Sequence, residues 1–145
     1  MPGLLNIPES LSIALHICLW IADNPDELRR SPQLADELGF SYHHVAKVVQ
    51  RLVRAGILEA VRGPRGGIRL ARAPQSVSLL DVYQAGGGEP LRPHRCLLDP
   101  SVCPGRACAL GRLIEQENNR LHAQMAKTTL AGLARSLDKS QLVTA

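Results

Sequence analysis

SYHHVAKVVQRLVRAGILEAVRGPRGGIRLARA, Ser41 to Ala73, is the stretch on which the fold turns. Ser41 can cap a helix that Gly56 ends. Val45, Val48, Val49 and Leu52 fall at i, i+3, i+4 and i+7, the stripe of a helix with one face in a core. His43, His44, Lys47, Gln50, Arg51 and Arg54 lie mainly off that stripe. ILEAVR and IRLARA then read as two strands around GPRGG. Pro64 suits the second position of a type I turn, with Arg65 third and Gly66 fourth. Gly66 and Gly67 can adopt positive φ without strain.

Just upstream, Ser31-Pro32 opens a short helix, with Ser31 as its expected cap and Gly39 as its stop. Two short helices separated by Gly39-Phe40-Ser41 read as a helix-turn-helix whose second helix carries the basic and hydrogen-bonding groups. A β-wing directly behind it favours a DNA reader over two packed helices with a solvated basic face. Arg62 and Arg65 would stand at or beside the wing tip, where a guanidinium can enter a narrow minor groove. The expected DNA-facing set is Ser41, Tyr42, His43, His44, Lys47, Gln50, Arg51, Arg54, Arg62, Arg65, Gly66 and Gly67.

The rest of the chain is consistent with a small aliphatic domain. It has 145 residues, 45% of them hydrophobic and 3% aromatic, with a formal charge of +4. A modest basic excess is compatible with nucleic acid. Pro8-Glu9-Ser10 opens a first helix to about Ala22, apolar nearly all round, as for a helix buried on several sides. The apolar run from Leu11 to Ala22, broken by Ser12 and His16, is too short to span a bilayer. No signal peptide is read, so a cytoplasmic protein is expected.

Downstream, Ser78 and Asp81 form a likeness of a capping box for a helix to Ala85. Residues 86–107 read as a long loop. Cys108 lies at the start of a helix expected to reach about Leu137, with Leu110, Ile114, Leu121 and Met125 on one side. A helix of about 30 residues is roughly 45 Å long, too long for so small a domain to cover, so its stripe points to an antiparallel second copy. The expected fold is mainly α with a small β-wing, a winged helix-turn-helix plus a long C-terminal dimerisation helix. Its expected divisions are 1–85 for DNA binding, 86–107 for the cysteine loop, 108–137 for dimerisation and 138–145 for a tail.

Three of the four cysteines, Cys96, Cys103 and Cys108, are gathered within thirteen residues. A reducing compartment weighs against disulfides. No C-x₂-C pair marks a zinc site. An iron–sulphur cluster, zinc and bare thiols all remain open on the residues alone. Cys18, mid-helix among Ile17, Leu19 and Ile21, reads as a buried structural cysteine. There is no C-x-x-C, P-loop, Ser/His/Asp ordering or G-x-G-x-x-G after a strand, so an enzyme is not expected.

The order of elements resembles the bacterial winged-helix iron–sulphur transcriptional regulators of the IscR/NsrR/RirA type. HVAKVVQRLVRAGILEAVRGPRGGIRLARAP, His44 to Pro74, is similar to their recognition helix and wing, and VRGPRGG is the most specific piece. SLLDVYQA stands where that family has the helix before its cluster loop. TTLAGL, Thr128 to Leu133, and the H-x-x-K-V-V pattern of His44, Lys47, Val48 and Val49 are closest to the nitric-oxide-sensing NsrR branch. The resemblance implies a homodimeric DNA-binding repressor on a palindromic operator. It also implies a 4Fe-4S or 2Fe-2S cluster on Cys96, Cys103 and Cys108, with nitric oxide, redox or iron status as the signal. The cysteine spacing departs from the family's commonest, with six and then four intervening residues. By the resemblance a fourth ligand is an acidic residue on the first helix of the partner subunit, where this sequence has Ser12; Glu9, one helical turn earlier, is the first candidate, His94 beside Cys96 the second and a small external ligand the third.

Overall fold

Pro8, with φ −58° and ψ 146°, leads into helix α1 (Glu9–Asp23). The computed structural model describes residues 7–88, 102 and 108–137. α1 buries Leu11, Ile13, Ala14, Ile17, Cys18, Ile21 and Ala22. Helix α2 (Ser31–Leu38) begins one residue earlier than expected. Ser31 is therefore its first helical residue and not its cap. Extended Arg30 holds the cap position and gives no side-chain cap hydrogen bond. Gly39 takes φ 71° at the end of α2, a left-handed turn that costs glycine little.

Helix α3 (Tyr42–Arg54) starts as its sequence suggests: the Ser41 hydroxyl accepts from His44 N at 3.3 Å. Val45, Val48, Val49 and Leu52 are its buried stripe. Strands β1 (Leu58–Val61) and β2 (Gly67–Leu70) pair antiparallel with Leu58 opposite Leu70 and Val61 opposite Gly67. Arg29 adds an isolated antiparallel bridge to Ile68. A short 3₁₀ turn, Pro74–Ser76, leads to helix α4 (Leu79–Ala85). Its capping box is complete: Ser78 N donates to Asp81 Oδ2 at 2.9 Å and Asp81 N to Ser78 Oγ at 3.1 Å. The fold is thus mostly helical with a two-stranded wing, as expected.

The long C-terminal helix departs from expectation. Helix α5 (Ala109–Lys127) has 19 residues, about 28 Å of rise, and stops well short of Leu137. Thr128 turns extended at ψ 120°, and its hydroxyl donates to Gln124 O at 2.8 Å. Leu79 N donates to Thr128 O at 2.7 Å and Leu130 N to Val77 O at 2.9 Å, so 128–130 is tied to the segment entering α4. The Thr129 hydroxyl then accepts from Gly132 N at 3.1 Å and caps helix α6 (Leu130–Ala134). Thr side chains compete with the helix for backbone hydrogen bonds. Here two in a row end one helix and start another.

α1 packs against α3, α4, α6 and β2, so one core serves the whole unit. Leu130 is fully buried in it and Ala134 nearly so. α5 touches mainly α4, and Leu110 and Leu113 on it are 48% and 52% exposed. Among the described residues no helix is long and apolar enough to cross a membrane.

Candidate functional site

The face of α3 opposite its valine stripe carries His43, Lys47, Gln50 and Arg54, all exposed. Tyr42 stands at the wing side of the helix, 57% exposed. His44 and Arg51 lie toward the other flank, where with Glu9, Ser10 and Lys47 they line a small cleft between α1 and α3. α3 contains no acidic residue. Among the described residues, Lys47, Arg51, Arg54, Arg62 and Arg65 make no ion pair. Several arginines elsewhere are compensated: Arg29 by Glu27 and Glu37, Arg69 by Glu59, Arg72 by Asp81.

The wing turn closes through Gly66 N donating to Gly63 O at 2.9 Å. Arg62 and Arg65 are exposed at this end of the hairpin. Positive φ falls on Gly63, at 111°, and on neither Gly66 nor Gly67. Those two are small because backbone passes close. A Cβ on Gly66 would lie 2.1 Å from Val61 O, and one on Gly67 2.7 Å from Arg29 O.

Cys108 occupies the N-cap position of α5, half-buried, and its thiol makes no cap hydrogen bond. Cys96, Cys103 and His94 lie outside the described residues. Among the described residues no group of three or more His, Cys, Asp or Glu side chains could hold a metal ion. Glu9 is exposed at the start of α1, and its Oε2 lies 3.2 Å from His44 Nδ1. That contact joins a candidate ligand to α3, and sequence reading did not reach it. Cys18 is fully buried, and burial pushes its thiol up to about 12, so it stays protonated in the apolar core at neutral pH.

Sequence reading also missed the segment between α1 and α2. Arg29 is 8% exposed; its Nη1 donates to Glu37 Oε1 at 3.3 Å, and Trp20 Nε1 donates to Glu37 Oε2 at 2.8 Å. Arg30 Nη2 donates to the Pro64 carbonyl of the wing turn. The Arg29-Arg30 pair ahead of Ser31-Pro32 was the available signal, but it reads equally well as an exposed charge pair.

Comparisons with known proteins agree with this arrangement. BadM of Rhodopseudomonas palustris is 41% identical over 78 residues, which cover 54% of this chain and 50% of BadM. The HTH-type transcriptional regulator NsrR of Halalkalibacterium halodurans is 37% identical over 67 residues, 46% of each chain. The chain thus spans about half the length of these curated relatives. CymR, the global cysteine regulator of B. subtilis, superposes with a TM-score of 0.79 at 21% identity, covering 93% of this chain and all of CymR. IscR of T. potens gives 0.74 at 18%, covering 94% of this chain and 91% of IscR. These two share the fold. The model of the Rrf2 family, described as "Iron-dependent Transcriptional regulator", matches residues 7–136, and the chain belongs to that family.

Proposed function

We propose that this chain is a cytoplasmic, homodimeric DNA-binding repressor whose grip on a palindromic operator is governed by an iron–sulphur cluster. The observation that carries the DNA reading is that five cations on α3 and the wing make no ion pair among the described residues, whereas arginines nearby are paired. Cations left without internal partners are available to phosphates, and counterion release then supplies affinity. α3 would lie in the major groove and Arg65 in the adjoining minor groove. Lys47, Arg51 and Arg54 would bind phosphate, while His43, His44 and Gln50 would meet base edges. The half-exposed Leu110 and Leu113 would be covered by α5 of a second copy.

The donor chemistry of the cysteine group fits an iron–sulphur cluster, which is held by thiolates. Cys108 would supply one at the foot of α5, and Cys96 and Cys103 the others. Glu9 from the partner subunit, or His94, would be the remaining ligand. The NsrR relatives and the family's iron-dependent description support this reading. When bound, the cluster supplies a centre reactive to nitric oxide and to changes of redox or iron status; nitric oxide is the first candidate signal. The chain's own part is mechanical. Thr128–Leu130 fixes the far end of α5 to α4 and α6, so a displacement of Cys108 would reach the DNA-binding unit through α5.

Selection from a randomised duplex pool tests the DNA reading. Recovery of palindromic sites, bound less tightly by Lys47→Ala and Arg65→Ala, supports it. Unselective recovery, or unchanged gel shifts for both variants, discredits it.

A further inference from the structure

The wing has little core of its own. β1 and β2 are four residues each, and a two-stranded hairpin is marginal alone. Its direction must be set by what it leans on, and it leans on residues 28–30. Arg29 N donates to Ile68 O at 3.0 Å and Ile68 N to Arg29 O at 2.7 Å. These bonds hold β2 one residue beyond the turn-end pair of Val61 and Gly67. The tip is held separately, by the guanidinium of Arg30 donating to the Pro64 carbonyl. Pro64 has no N–H and can offer this neighbour only an acceptor. The turn's own bond uses Gly63 O and Gly66 N, which leaves the Pro64 carbonyl to Arg30. A long side chain ending in a planar fork of donors meets that need. Arg30 is exposed and makes no ion pair among the described residues, so among them its guanidinium is held by the wing tip.

We infer that Arg30 is a positioning residue for the wing, holding the tip so that Arg65, next to Pro64, stays aligned with α3. This deepens the DNA-binding reading and rests on it. Arg30 acts through Arg65 and not by its own grip on DNA, and that separates the two roles experimentally.

The test is a double-mutant cycle on the full chain, read as affinity for one fixed duplex recovered from the selection. Arg65→Ala should weaken binding about tenfold and Arg30→Ala about fivefold, the scale of one ordinary hydrogen bond. The double variant should bind no more weakly than Arg65→Ala alone, with an unchanged salt slope relative to it. Arg30→Lys keeps a donor of similar reach and should restore most of the affinity; it also serves if the alanine variant melts early. Multiplying effects would mean that Arg30 grips DNA itself, and would overturn the inference. So would an unchanged affinity for Arg30→Ala beside a weakened Arg65→Ala. An unchanged Arg65→Ala would instead sink the wing's DNA role and the positioning role with it.

Discussion

Leu130→Ala tests whether the chain after α5 returns to the core. Leu130 is fully buried, with its backbone N–H bonded to Val77 O at 2.9 Å and its helix packed on α1. The carbons removed, at about 0.8 kcal/mol each, amount to roughly 2.4 kcal/mol of lost transfer energy. The site is closed by α1 and tied by the Thr129 cap, so it cannot collapse fully, and the residual cavity raises the cost to about 3–4 kcal/mol. Urea unfolding followed by helical circular dichroism, at one fixed protein concentration, reads this directly. With a slope of about 2 kcal/mol/M, the midpoint should fall by about 1.5–2 M at unchanged slope. A loss below about 0.5 kcal/mol, the value for an ordinary surface position, would refute the reasoning. Leu130 would then lie on an uninterrupted α5, as the sequence alone suggested.

Other outcomes follow from the same geometry. Gly66→Ala places a Cβ against Val61 O and should cost about 1–3 kcal/mol in thermal unfolding; an unchanged melting temperature would show that the turn has room. Lys47→Ala should flatten the salt dependence of DNA binding by about 0.9 per protomer without changing sequence preference; an altered preference would make Lys47 a base reader. Burial raises the Cys18 thiol from 9.0 to about 12. The unfolded chain therefore sheds that proton first as pH rises, so stability is full below pH 9 and falls toward pH 12. Cys18→Ala should lessen that alkaline loss, and an identical pH profile would show that Cys18 has no part in it.

Much of the fold was legible because its signals are local. The Ser41 cap, the valine stripe of α3 and the Ser78–Asp81 box each need only a few neighbouring residues, and all stand as read. Contacts between distant segments were not legible. Nothing near Thr128 announces that Val77 and Leu79 will pair across it, and the apolar spacing continues into α6 as if one helix ran on. The need for glycine at position 67 was hidden for the same reason: the backbone crowding it comes from Arg29, far away in sequence. Candidate DNA contacts could be named because a helix face and a turn tip follow from spacing. The Glu9–His44 and Arg30–Pro64 contacts could not, since each joins elements whose packing the sequence does not state.

The most direct test of the central claim is an iron and acid-labile sulphide count on anaerobically purified protein, taken beside Cys108→Ala. A brown wild type with matched iron and sulphide is expected, both lost in the variant while its fold is kept. A colourless wild type carrying zinc, or no metal at all, would contradict it.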